Sequence, residues 1–121
     1  MSWELKSNRP VYIQLIEEIQ LRIVSGMYKS GTQLPSVREL AAEAAVNPNT
    51  MQKALSELER SGLVYSRRTS GRFITEDVQL IKNTRKNLAN SQTDEFIQKM
   101  KSLGFEPDEM ISFISGKLDK E

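Results

Sequence analysis

The sequence predicts a mostly α-helical protein with one small β-hairpin: an N-terminal helical domain closed by the hairpin, then a short α-helical tail. Three observations predict it. Apolar residues recur at helical spacing near the start, with Leu15, Ile16, Ile19 and Ile23 falling three, four, seven and eleven positions after Tyr12. Two helix-start signals follow close together, Ser36 with Glu39 three residues on, and Asn47 with Pro48. Two β-prone runs then flank a turn at Thr69-Ser70-Gly71.

The first helix should run roughly from 10 to 25, with Pro10 in its first turn and Gly26 at its exit. Its outward face would carry Glu17, Glu18, Gln20 and Arg22. Residues 27–35 are rich in breakers and read as a loop, with a short extended piece near Gln33. Ser36 caps a second helix of roughly 37–44, which buries Val37, Leu40, Ala41 and Ala44 and leaves Arg38, Glu39 and Glu43 outward.

Asn47 can accept from the free amides of a first turn, and Pro48 has no amide to lose there, so a third helix should span about 48 to 60 and end at Ser61-Gly62. Met51, Ala54, Leu55 and Leu58 point inward, while Asn49, Thr50, Gln52 and Lys53 face out. Amides, hydroxyls and a cation are the groups that reach base edges and phosphates in a major groove. The same spacing also describes a merely solvated helix face. The short helix only three residues upstream and the arginine-rich hairpin directly downstream favour the reading helix.

In the hairpin, Leu63-Val64-Tyr65-Ser66 and Arg72-Phe73-Ile74-Thr75 form the arms, with Val64 packing near Phe73 or Ile74. Arg67, Arg68, Ser70, Gly71 and Arg72 lie at and near the tip, and three arginines within six residues suit phosphate or minor-groove contact. Capped helix, tight turn, capped helix and basic hairpin is the order of a winged helix-turn-helix, assigned to residues 1–75.

Residues 76–121 form the tail. Val78, Ile81 and Leu88, then Phe96, Ile97, Met100 and Leu103, predict one long helix or two pieces interrupted near Asn90-Ser91-Gln92. Gly104 marks a stop, and Pro107-Asp108-Glu109 opens a last helix bearing Met110, Ile111, Phe113, Ile114 and Leu118. That helix is more apolar than a two-helix hairpin can cover by itself. Phe96, Met100, Leu103, Met110, Ile111, Phe113, Ile114 and Leu118 are therefore expected to pair with a second copy of the chain; the alternative is that they fold back on the first helix.

Composition sets limits. The chain has 121 residues, no cysteine and no histidine, which removes disulfides, thiolate nucleophiles, the commonest general base and the usual metal ligands. Carboxylates, lysines and hydroxyls are scattered rather than gathered, so no catalytic residue, metal or cofactor is expected and the chain does not read as an enzyme. No run reaches the roughly 18 apolar residues of a membrane span, and Met1-Ser2-Trp3-Glu4-Leu5 lacks the pattern of a signal peptide, so a cytoplasmic protein is expected. The net charge of +1 hides a division: six basic residues against Glu76 and Asp77 over 64–86, but four basic against seven acidic over 87–121. One part is suited to a polyanion and the other is not.

The strings Leu34-Pro35-Ser36-Val37-Arg38-Glu39-Leu40-Ala41, Val46-Asn47-Pro48-Asn49-Thr50-Met51, Ala54-Leu55, Leu58-Glu59 and Gly62-Leu63-Val64 together resemble the N-terminal domain of the GntR family of bacterial transcription regulators. The Val-Asn-Pro-Asn-Thr string and the short tail are most similar to its YtrA subfamily. The resemblance implies a dimeric repressor on a palindromic double-stranded operator, with the third helix in the major groove and the wing in the minor groove. It implies DNA contacts for Arg38, Asn47, Asn49, Thr50 and Gln52, and the wing-glycine role for Gly71. The chain departs from many relatives at Pro48, where they carry a basic residue, and at Arg72 or Phe73, where they carry a second glycine. The resemblance further suggests control of a transporter or cell-envelope stress operon. The tail is too small to enclose an elaborate ligand pocket by itself, so a small-molecule effector, unidentified by the sequence, would enter at the dimer interface. The alternative function is a winged helix used for protein contact without specific DNA binding.

Overall fold

A computed structural model describes residues 3–120; the outer limits of both expected domains, at residues 1 and 121, fall outside the described residues. Five helices and one hairpin follow in order: α1 Val11–Val24, α2 Val37–Ala44, α3 Pro48–Ser61, β1 Val64–Arg67, β2 Gly71–Ile74, α4 Val78–Ser102 and α5 Pro107–Asp119. The chain divides into two compact units, Met1–Arg85 and Lys86–Glu121, and the division falls inside α4.

In the first unit, α1 and α2 pack on α3, and the hairpin closes the far side. Leu15, Ile19, Leu40, Met51, Ala54, Leu55, Leu58, Leu63, Val64 and Ile74 are all at most 1% exposed, so every element before α4 sends side chains into one core. Each of these side chains larger than alanine contributes roughly 1.5–3 kcal/mol by leaving water. Ser36 and Glu39 form a capping box at the start of α2: the Ser36 hydroxyl accepts from Glu39 N–H at 3.2 Å, and Ser36 N–H donates to Glu39 at 3.0 Å.

The strands are antiparallel, with Val64 opposite Ile74, Tyr65 opposite Phe73, Ser66 opposite Arg72 and Arg67 opposite Gly71. Val64 therefore packs with Ile74, while Tyr65 and Phe73 stack with ring centroids 5.9 Å apart. The extended piece near Gln33 is present as a bridge to Phe73, with Leu34 N–H donating to Arg72 O at 2.8 Å and Ile74 N–H to Thr32 O at 2.9 Å.

Two polar residues on α1 are buried, and one of them, Arg22, departs from the sequence expectation. Arg22 belongs to the buried side of the helix, not the wet one, and is fully enclosed. It lies seven positions after Leu15, on the same stripe, and is accommodated because its guanidinium donates to Glu18 at 2.9 Å, Glu43 at 2.8 Å and the Tyr28 hydroxyl at 2.8 Å, with the Trp3 ring 4.2 Å away. Burial acts to discharge Arg22, but hydrogen bonds to Glu43, Glu18 and Tyr28 outweigh it, so its affinity for the proton rises. Glu43, outward on α2 as expected, has its carboxyl held below the usual range, first by Arg22 and then by the Trp3 indole. Gln14, also buried, exchanges hydrogen bonds with the Lys6 backbone at 2.6 and 2.7 Å, which ties the N-terminal segment to α1. Tyr12, expected in the apolar stripe, is only half-buried.

In the tail, α4 continues through Asn90-Ser91-Gln92 without a break, and Gly104 at φ +89 closes the turn before α5. Within the second unit, Met100 and Met110 are buried and Phe105 meets Phe113 edge-on at 5.6 Å. Leu103, Ile111, Phe113 and Leu118 remain 49–72% exposed, Phe96 is 40% exposed and Ile114 is half-buried.

Candidate nucleic-acid interface

α2 hands over to α3 within three residues. Ala45 takes the left-handed backbone at φ 58, and Val46 N–H returns to Ala41 O at 2.9 Å, so the chain reverses tightly and aims α3 away from α2. Asn47 caps α3, its side-chain oxygen accepting from Asn49 N–H at 2.7 Å. The carbonyl end of Asn47 thus serves the helix, which leaves its NH2 for an outside acceptor.

Along α3, Met51, Ala54, Leu55 and Leu58 are buried as their spacing requires, which turns Asn49, Gln52 and Lys53 fully outward and leaves Thr50 half-buried. Among the described residues Gln52 makes only a long 3.4 Å contact to Ser56. Its amide is available in both senses to a base edge, the bidentate pattern that suits adenine. Lys53 carries its ammonium 3.8 Å above the Tyr12 ring, which places a cation at the α1–α3 junction.

The wing presents its cations differently. Arg67 lies over Phe73 at 4.5 Å and donates to the Tyr65 hydroxyl at 3.2 Å, so its guanidinium rests on an aromatic platform. Arg68 and Ser70 stand exposed at the tip. The tip is tightly drawn: Thr69 sits at φ 67, and Gly71 at φ 106, where a Cβ would come within 3.0 Å of Gln33 Nε2. That same Gln33 amide donates to Ser70 O. Gly71 is therefore favoured by its backbone angle, and a Cβ there would also displace the end of the Gln33 side chain.

Arg72 does not stand free at the tip. It is half-buried and its Nε donates to Glu59 near the end of α3, while the Ser66 hydroxyl donates to the same oxygen at 2.7 Å. Glu59 is held below the ordinary carboxylate range, first by the Ser66 hydrogen bond and next by Arg72, with burial opposing both. Sequence reasoning gave Gln33 and Glu59 no role in the interface. The signal available for Glu59 was an acidic residue near the end of α3 with an arginine across the hairpin; for Gln33 it was only an amide in an extended piece.

The structure brings Arg38, exposed in the first turn of α2, close to the wing tip. Together they line an open groove of about 800 Å³ that runs from Gln33 to Glu39 on one side and from Thr69 to Arg72 on the other. The expected tail residues form a separate set within α4 and α5, where two hollows of about 490 and 410 Å³ lie beside Phe113 and Ile114. Among the described residues, no group of three or more carboxylates could hold a metal ion, and no helix is long and apolar enough to cross a membrane.

Short helix, tight turn, outward amide-bearing helix and basic wing define a winged helix-turn-helix DNA-binding regulator. Residues 11–74 match the family of bacterial regulatory proteins called gntR, and the chain belongs to that family. It is 38% identical over 114 residues to the uncharacterized HTH-type transcriptional regulator YhcF of Bacillus subtilis, covering 94% of each chain. It is 42% identical over 74 residues to the HTH-type transcriptional repressor YtrA of the same organism, covering 61% of this chain and 57% of that protein. A GntR family transcriptional regulator from Listeria monocytogenes superposes with a TM-score of 0.85 at 36% identity, over 93% of this chain and 98% of that one. The DNA-binding domain of AraR in complex with operator ORX1 matches with a TM-score of 0.53 at 30% identity, over 62% of this chain and 92% of that one. The chain is a DNA-binding transcription regulator of this family and not an enzyme.

Proposed function

We propose that the chain is a dimeric, sequence-specific repressor that binds a palindromic operator in the cytoplasm, with α3 in the major groove and the wing in the adjacent minor groove. The observation that carries this reading is the division of α3: four buried apolar residues fix its inner face, and the opposite face offers Asn49, Thr50, Gln52 and Lys53 beside the wing arginines. Arg38 would reach the phosphate backbone or a base from α2, Arg67, Arg68 and Ser70 the backbone from the wing, and Gly71 would permit close approach at the tip. A repressor role is supported by the name of the relative YtrA, and DNA recognition by the operator complex of AraR.

Dimerisation is supported by the tail. Four side chains of leucine, isoleucine and phenylalanine at 49–72% exposure on two short helices are an apolar surface that water disfavours, and a second copy of the same surface would cover it with the two-fold symmetry of a palindrome. An effector would act at that interface by changing the spacing of the two reading heads. Family resemblance favours a transporter or envelope-stress operon as the target.

The test is equilibrium binding to duplex DNA across a salt series. Several phosphates neutralised per subunit predict a steep fall in affinity between about 50 and 200 mM salt. A winged helix used only for protein contact would show no duplex binding at low salt, and that result would overturn the reading.

A further inference from the structure

Glu59 near the end of α3 holds the wing by both of its strands at once. Ser66 on β1 and Arg72 on β2 are opposite one another in the hairpin register, and both donate to the same Glu59 oxygen. This pair is the rung beside Arg67 and Gly71, where the tip begins, so the clamp sits next to the segment that carries Arg67 and Arg68. On the other side, Gln33 donates to Ser70 O, and Leu34 N–H donates to Arg72 O. The tip is thus held from α3 and from the segment that leads into α2.

A carboxylate this close to a DNA-facing wing repels phosphate unless it is neutralised. With side chains only 32% and 20% exposed, Glu59 and Arg72 are partly withdrawn from water and cancel each other's charge where they stand. Arg72 therefore has its Nε committed within the protein, unlike the exposed Arg68.

We propose that Glu59 is a positioning residue of the DNA interface: by clamping Ser66 and Arg72 it sets the angle of the wing against α3, and Arg72 serves this brace rather than a phosphate. The proposal rests on the DNA-binding reading above. A rigid wing places Arg67 and Arg68 over one groove while α3 occupies the next, so a loosened wing loses operator affinity without losing a phosphate contact.

The experiment uses the full chain, a duplex selected by the wild-type protein from a random pool, and an unrelated duplex of equal length. Arg72→Met and Glu59→Gln are each expected to weaken binding to the selected duplex on the order of tenfold, the scale of one charge-assisted hydrogen bond. The salt slope should stay at the wild-type value in both variants. The double variant should be no weaker than the weaker single, since both changes open one brace. Arg72→Lys, which keeps a cation within reach of Glu59, should recover most of the affinity, and thermal melts of each variant would exclude loss of folded protein as the cause. A slope lowered by about 0.9 in Arg72→Met would mean that Arg72 neutralises a phosphate, and the proposal would fail. Additive losses, or tighter binding by Glu59→Gln, would also overturn it, the latter by reducing Glu59 to a repelling charge. If the wild-type chain selects no duplex at all, the DNA-binding reading fails first and takes this inference with it.

Discussion

The N-terminal unit and the tail treat apolar side chains in opposite ways. The core of the N-terminal unit encloses Leu15, Ile19, Ile23, Leu34, Leu40, Met51, Leu55, Leu58, Leu63 and Ile74 to within 3% exposure, and the unit leaves outside a helix face of amides and a wing of arginines. Among the described residues the tail encloses only Met100 and Met110, and leaves Leu103, Ile111, Phe113 and Leu118 about half or more exposed. The first pattern is that of a domain that folds alone and meets a polar, charged partner. The second is that of a surface awaiting one as apolar as itself. The first unit is thus the DNA-binding module, and the proposed dimer would form through what the tail fails to bury.

The sharpest way to break this contrast is to remove the tail. Deletion of residues 90–121 should convert a dimer into a monomer by sedimentation and lower operator affinity on the order of 10²–10⁴-fold, since the two heads no longer share one effective concentration. Equal affinity, or a full-length chain that sediments as a monomer, would mean that the tail does not pair. Point changes separate the regions further. Leu55→Ala should cost about 2–5 kcal/mol in a denaturant melt because it leaves a cavity in the core of the head. Ile111→Ser should leave the unfolding of the head unchanged and act on the monomer–dimer equilibrium.

On the reading face, Arg38→Ala and Gln52→Ala should each lose about 1–3 kcal/mol on the selected operator in fluorescence anisotropy titrations. Arg67→Ala or Arg68→Ala should weaken every duplex alike and reduce the salt slope by about one. A loss confined to one sequence would turn that wing arginine into a base reader. The smallest effect concerns acid. Glu43 and Glu59 titrate below their unfolded value of about 4.3, so their contribution to stability is whole above that pH and is lost as the pH falls through the lower folded values. Glu59→Gln should therefore flatten part of the decline in thermal midpoint below about pH 4.5, because the glutamine takes up no proton there.

The head was legible in the sequence because its signals are local. Ser36 with Glu39, and Asn47 with Pro48, mark α2 and α3 through hydrogen bonds that span three residues or fewer, and the structure forms both caps. Burial of a charge is not local. Arg22 read as an outward residue because its partners Glu43 and Trp3 lie about twenty positions away on other segments, and only their convergence makes its enclosure tolerable. Arg72 read as a tip residue for the same reason, since Glu59 is reached only once the hairpin has folded back on α3. In the tail, the extent of the helices followed from Pro107 and Gly104, whereas the continuity of α4 through Asn90-Ser91-Gln92 could not, because two weak helix formers, Asn90 and Ser91, inside a long helix cost too little to break it.

In the proposed complex α3 reads base pairs and the wing grips the backbone beside it, twice over in symmetry. Selection of bound duplexes from a random pool by the full-length chain tests it most directly. The enriched sequences should carry inverted half-sites whose centres lie about 10–10.5 base pairs apart, or a multiple of that spacing. A pool that remains unenriched at low ionic strength, or that converges on a single unrepeated half-site, would contradict it.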